Sequence, residues 1–201
     1  MSPTAAPLAV FDEFLAPMEL GWAHDLVARQ RSAFQASQVI GDNDQGVQDP
    51  GHRRSHVLYD LGVFHQLMTV RLAWFFPHIV YRLGIPAFAI TQVELQLTSS
   101  GEGEFFRPHT DNDNGPVRGR AITFVLFCHR EPPRFSGGQL RLYGRDPGTG
   151  AALMEEATVV TPLQNRMVLF PSDRLHEVTP VACPSHDILD TRLTLNGWLH
   201  R

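Results

Sequence analysis

His109 and Asp111, in the stretch FFRPHTDN, are two potential metal ligands two positions apart in a segment that reads as extended. Side chains along a strand alternate faces, so residues i and i+2 share one, and this imidazole and carboxylate can converge on one ion. A third ligand is available at His176, in the stretch FPSDRLHEVTPV. Two imidazoles and one carboxylate on one face of a metal leave its other positions open, the ligand set that suits non-haem Fe(II). The chain carries 10 histidines, so a His-x-Asp pair arises easily by chance and is weak alone. The rival pair His129-x-Glu131 is followed at once by Pro132-Pro133, which ends the strand and turns Glu131 away.

The elements that must position these residues differ between the two halves of the chain. Leu8 to Phe11 reads as a short strand, and Pro17 suits the first position of a helix running from Met18 to about Phe34. Ser37 to Ile40 reads as a strand. Gly41 to His52, GDNDQGVQDPGH, has no apolar periodicity and reads as a mobile loop. Arg53 to Leu58 reads as extended. Apolar residues from Phe64 to Val80 recur at three- and four-residue steps and predict the strongest helix, kinked or divided by Pro77 and ended by Gly84 and Pro86. Such a stripe is core packing.

After Pro86 the period falls to two. Gln92, Glu94, Gln96 and Thr98 alternate with Val93, Leu95 and Leu97, so one face of this strand is solvated or lines a pocket. Strands are predicted over Ala89–Thr98, Glu104–Asp111, Ala121–His129, Gln139–Tyr143, Ala157–Val160, Met167–Phe170, His176–Val181 and Thr191–Leu199. Eight strands separated by turns such as Ser136-Gly137-Gly138 fit a jelly roll, with the helices packed on one sheet.

At 201 residues, with 43% hydrophobic and 19% charged residues, the chain reads as one soluble domain. Its helical support region spans about 1–87 and its β core about 88–201. A net charge of -4 argues against nucleic acid or an anionic membrane as partner. Cys128 and Cys183 make neither a metal spacing nor a disulfide framework, and Cys128 reads as a small core residue. MSPTAAPLAV has no leader pattern and no stretch reaches membrane-spanning length, so a cytoplasmic location is expected. Oligomeric state is left open.

From Gln92 onward the chain resembles the 2-oxoglutarate- and Fe(II)-dependent oxygenases, particularly the prolyl 4-hydroxylase-like branch. RPHTDN, SGGQLRLYG, NRMVLFPS, LHEVTPV and TRLTLNGWL follow one another in that family's order. The resemblance implies a mainly β fold, a cupin-like double-stranded β-helix, with His109 and Asp111 near the end of its second strand. His176 would open the seventh strand and Arg192 the eighth. It further implies Fe(II) bound by His109, Asp111 and His176, and Arg192 paired with the distal carboxylate of 2-oxoglutarate. A planar guanidinium grips a carboxylate through two parallel hydrogen bonds. Thr194, two residues on, offers a hydroxyl to the same carboxylate. The sequence departs from the family twice. CPSHDILD lengthens the connection before Arg192 and reads as an extended hairpin. Phe127 stands where a co-substrate-binding tyrosine is frequent, and Gln96 is the candidate replacement.

The activity implied is hydroxylation of an unactivated C–H, coupled to conversion of 2-oxoglutarate and O2 to succinate and CO2, with ascorbate a candidate reductant. Desaturation and ring formation use the same triad, whereas related halogenases have a small residue in place of Asp111. A prolyl peptide, a free amino acid and a small molecule all remain open as substrate, because a barrel does not set one. Two rivals need no turnover: a cupin-like metal- or ligand-binding module, which has no use for Arg192, and a jelly-roll interaction domain. Gly41 to His52 is expected to act as a lid over the substrate side.

Overall fold

The computed structural model describes residues 6–41, 43–113 and 115–201. Residues 1–5, part of the stretch MSPTAAPLAV expected to lack a leader, and Asp42 of the expected loop lie outside them. In the first half the elements are β1 (Ala9–Phe11), α1 (Pro17–Arg29), β2 (Gln35–Ala36), β3 (Val39–Ile40), β4 (Gly46–Val47), β5 (Arg53–Arg54), β6 (His56–Leu58) and α2 (Val63–Leu83). Pro17 opens α1, and Glu19 reaches back to accept the Ala16 N–H at 2.7 Å. The helix stops at Arg29, short of Phe34. After Val27 no large apolar residue anchors a further turn, and Arg31–Ala33 forms a 3-10 turn instead.

Pro77 neither divides nor ends α2, which runs unbroken from Val63 to Leu83. The proline removes the bond to the Ala73 carbonyl at a turn where both residues are exposed, so only the solvent side of the helix loses a hydrogen bond. Gly84, at φ 64°, closes the helix, with the Ile85 N–H donating to the Val80 carbonyl at 3.1 Å. The segment expected to be an unstructured loop is partly a hairpin. Val39 pairs with Val47 and Ile40 with Gly46, strands too short to show a period in sequence. Beyond it, the Asp49 carbonyl accepts from His52 and Arg53 and turns the chain into β5.

The second half forms β7 (Gln92–Ser100), β8 (Phe105–His109), β9 (Arg120–Phe127), β10 (Ser136–Gly137), β11 (Leu140–Arg145), β12 (Ala152–Val160), β13 (Met167–Pro171), β14 (His176–Val178), β15 (Val181–Ala182) and β16 (Arg192–His200). All eight expected strands are present, with ends moved by a few residues. His176–Val181 is interrupted because Pro180 has no N–H to donate. Val181–Ala182 pairs instead with β10.

One sheet has the order β1-β13-β9-β16-β7-β6-β2 and the other β12-β11-β14-β8-β5. Along the chain β7, β9, β13 and β16 fall in the first, and β8, β11, β12 and β14 in the second. This winding between two facing sheets is a double-stranded β-helix. The helices pack on the outer face of the larger sheet, where Phe64, Met68, Leu72 and Ile79 meet Leu97, Phe124, Leu126 and Leu195. A second cluster, with Phe127, Leu140, Leu142, Val168 and Phe170, fills part of the space between the sheets. Cys128 belongs to the helix-side core, and burial pushes its thiol up to about 12. CPSHDILD is not a hairpin. Asp187 caps a 3-10 turn over Ile188–Asp190 by accepting the Leu189 N–H at 3.0 Å, and Leu189 is buried in the core. The eighth strand still begins at Arg192.

Candidate metal and co-substrate site

β8 and β14 are neighbours in the smaller sheet, and their register sets His109 opposite His176. The strand ends at His109, so the pleat alone does not aim Asp111. Its N–H donates to the Ser172 carbonyl at 2.9 Å, and its Oδ2 accepts from the Thr123 hydroxyl at 2.6 Å. These ties turn the carboxylate back toward the histidines. One ligand atom from each of His109, Asp111 and His176 lies within 4.8 Å of the others, the only such group among the described residues. Nε2 of His109 is 3.6 Å from the carboxylate and Nε2 of His176 is 3.4 Å away.

Each imidazole donates its Nδ1–H to a backbone carbonyl, His109 to Arg107 at 2.7 Å and His176 to Arg174 at 2.9 Å. That choice of tautomer leaves both Nε2 lone pairs free to ligate. Burial, the neighbouring His176 and the Arg53 cation hold His109 well below the usual imidazole value, so it is present as the neutral ligand form. Burial alone would raise the Asp111 carboxyl. The two imidazoles and the Thr123 hydroxyl outweigh it and hold the group below the usual carboxylate value. A donor set of two imidazoles and one carboxylate fits a divalent metal held on one face.

The triad opens onto a cavity of about 550 Å³ that Arg192 also lines. Arg192 is 2% exposed and its Nε–H donates to the Gly138 carbonyl at 2.6 Å. Gly138, at φ 61°, permits this approach, since a Cβ there would lie 2.4 Å from the arginine Cδ. Arg192 has no carboxylate partner among the described residues, and one terminal nitrogen is buried without a hydrogen bond. Burial lowers its pKa to about 10. The Thr194 hydroxyl is likewise buried and unpartnered. An orphaned guanidinium beside an orphaned hydroxyl fits a carboxylate ligand. Phe127 supplies a ring face 5.1 Å from the guanidinium carbon instead of a hydroxyl. Gln96 lines the cavity but stands level with Asn196 and Val125. At the level of Phe127 the polar neighbours are Thr194 and Thr98.

His129 and Glu131 are elsewhere, and Glu131 is not turned away as expected: its carboxylate lies 3.6 Å from His129 Nε2. His129 packs edge-on against Phe135 at 4.9 Å and is no part of the triad. Several residues escaped sequence reasoning. Thr123 interrupts an apolar run on β9, a signal that could have marked it. Arg120 lies 3.6 Å over the Trp198 ring and pairs with Glu94 at 3.0 Å, an arrangement visible only once strands are registered. Phe106 stacks on the His109 ring at 3.4 Å, and the Arg53 guanidinium lies 4.7 Å from the centre of the Phe106 ring.

The model of the 2OG-Fe(II) oxygenase superfamily matches residues 95–200, the stretch that holds His109, Asp111, His176 and Arg192. The chain belongs to this superfamily. Among fellow relatives, an uncharacterised PKHD-type hydroxylase of Synechocystis sp. is 32% identical over 153 residues, 75% of this chain and 50% of the relative. The chain thus spans about half the length of that curated relative. Two solved superfamily-like folds overlay nearly the whole chain. A Pseudomonas putida prolyl-4-hydroxylase aligns with a TM-score of 0.69 at 20% identity, over 98% of this chain and 94% of that one. A Trichoplax adhaerens prolyl hydroxylase, in complex with a hypoxia inducible factor peptide fragment, aligns with a TM-score of 0.67 at 19% identity, over 97% and 84%. Among the described residues of this superfamily member, no helix is long and apolar enough to cross a membrane.

Proposed function

We propose that the chain is an Fe(II)- and 2-oxoglutarate-dependent dioxygenase that hydroxylates an unactivated C–H of a prolyl, amino-acid or small-molecule substrate, releasing succinate and CO2. One observation carries this reading: a three-donor metal set and an unpaired buried guanidinium share a single cavity. A binding module without turnover would use the first and have no use for the second, and an uncompensated buried charge is destabilising.

In this reading His109, Asp111 and His176 hold the iron, and Arg192 with Thr194 holds the distal carboxylate of 2-oxoglutarate. Iron when bound supplies the redox chemistry with O2 that the protein side chains lack. The carbonyls of Arg107 and Arg174 fix the two rings. The Thr123 hydroxyl occupies one carboxylate oxygen of Asp111 and leaves the other for the metal. The β3–β4 hairpin, whose Val39, Ile40 and Gly46 line the cavity, covers the substrate side. A peptide-borne proline is the first substrate to test, since prolyl hydroxylases share the fold and the Trichoplax protein holds a peptide. Two buried unpaired thiols, Cys128 and Cys183, are in keeping with a reducing, cytoplasmic compartment.

The test is anaerobic titration of Fe(II) and 2-oxoglutarate, followed by succinate formation in air with ascorbate as reductant. A visible metal-to-ligand charge-transfer band is expected in the native protein and absent in Asp111→Ala. Metal binding without that band would leave the binding module as the better reading.

A further inference from the structure

Of the 21 residues of α2 none is Asp, Glu or Lys, and its only full charges are Arg71 and Arg82. Neither sits on its outermost face. Arg71 turns inward to the Glu19 carboxylate at 2.6 Å, and Arg82 bonds the Val10 carbonyl across the Phe11 ring. The outer face instead carries Val63, Val70, Trp74 and Tyr81, which are 80%, 71%, 77% and 85% exposed. At 3.6 residues per turn these four fall within about 40° of one another around the axis. They form one stripe along a helix of roughly 30 Å. The solvent face of a helix packed on a core is ordinarily charged, and a helix apolar on both sides is ordinarily covered.

We propose that this stripe is a two-fold interface at which the α2 helices of two copies of the chain pack antiparallel. The spacing is self-complementary about a point level with residue 72. Reversal about that point sets Val70 against Trp74 of the partner subunit, and Val63 against Tyr81 of the partner subunit. Each aromatic ring thus meets an aliphatic side chain. An isologous contact brings every group near its own copy, which a charged face resists and this neutral one does not. With aromatic side chains bringing roughly 150–250 Å² each, the four residues offer on the order of 600 Å² per copy, or about 1,200 Å² for the pair. That reaches the lower bound for a specific interface, before flanking Gln66, Ala73 and Pro77, all exposed, are added. A lipid surface is the poorer fit, because helices that lie on membranes carry Lys and Arg along their polar face. The helix packs on the sheet face opposite the cavity, so the dimer leaves the site open.

Sedimentation velocity of the full chain over a broad concentration range tests this. The expected native species has twice the chain mass of 22.5 kDa. Trp74→Glu and Val70→Glu should each sediment as monomers, with unchanged circular dichroism and an unchanged charge-transfer band with Fe(II) and 2-oxoglutarate. If Trp74→Glu unfolds, Tyr81→Lys at the exposed end of the stripe gives the same reading. A native chain that stays monomeric at every concentration overturns the proposal, whether or not it floats with phospholipid vesicles. So does a dimer that survives both glutamate substitutions.

Discussion

Replacing Arg192 with methionine separates what the guanidinium does for the fold from what it does for a ligand. In the protein without co-substrate the group is 2% exposed, has a single hydrogen bond to Gly138, and leaves one terminal nitrogen unpartnered. Removing a charge in that position should leave stability unchanged or raise it by about 1–4 kcal/mol, as when buried ionic groups are replaced by apolar ones of similar volume. The ligand tells the opposite story. Two charge-assisted hydrogen bonds at roughly 1.5–3 kcal/mol each contribute about 3–6 kcal/mol, which corresponds to two to four decades in 2-oxoglutarate affinity. Native protein at 2-oxoglutarate about 100 times its Kd gains about 2.7 kcal/mol. For a chain of this size that raises Tm by roughly 5–10 °C, at 2–4 °C per kcal/mol. Anaerobic calorimetric titration and thermal unfolding, both with Fe(II) present, measure the two effects. Arg192→Met should show the native Tm or a higher one alone, and no rise on adding 2-oxoglutarate at the same concentration. A variant that keeps the ligand-induced rise, or loses less than about tenfold in affinity, refutes the assignment.

Thr123→Val removes the hydroxyl that donates to Asp111 at 2.6 Å. Fe(II) affinity should fall by about 10–100-fold with the fold intact, measured by competition with a chelator; unchanged affinity would mean the carboxylate is held by other contacts. His129 is buried with neither ring nitrogen hydrogen-bonded and the Glu131 carboxylate 3.6 Å from its Nε2, and burial with the nearby Arg192 and His24 lowers its pKa from 6.5 to about 4. Below 6.5 the unfolded chain takes up a proton that folded His129 refuses. Stability present at neutral pH should therefore be lost as pH falls from about 6.5 to about 4, by on the order of 3 kcal/mol. Urea unfolding against pH should show this slope, and His129→Asn should flatten it. Replacing Asp42 to Pro50 with a short glycine linker should abolish substrate hydroxylation while uncoupled 2-oxoglutarate decarboxylation survives. If both rates are unaffected, the β3–β4 hairpin is no lid.

The parts of this protein legible in its sequence are those that depend on local backbone geometry. Alternation of side chains is a property of any strand, so Gln92 to Thr98 announced a sheet with one polar face. That face proved to line the cavity through Glu94, Gln96 and Thr98. His109 and Asp111 were visible by type and spacing, and His176 and Arg192 by their order in a set of recognisable stretches. Local rules failed where a neighbour distant in the chain decided the outcome. Val39 and Val47 are a strand because they pair with each other. Ile188–Asp190 is a turn because Asp187 caps it and Leu189 finds the core.

Tertiary structure alone decided what surrounds the four site residues. The register of β16 between β7 and β9 sets Arg192 opposite Ser100 and Thr194 opposite Phe127. A slip of one residue would turn Arg192 out of the cavity, and Thr194 with it, toward the helix-side core. The same register brings Arg120 over Trp198, and the Thr123 hydroxyl reaches Asp111 from a strand of the facing sheet. Whether a buried cation has a partner is also a matter of all its neighbours at once. Sequence alone determined that His109, Asp111, His176 and Arg192 were available for this chemistry. Only the closed pair of sheets decided that Arg192 would find no carboxylate among the described residues, because the one hydrogen bond that orients it comes from Gly138, far along the chain.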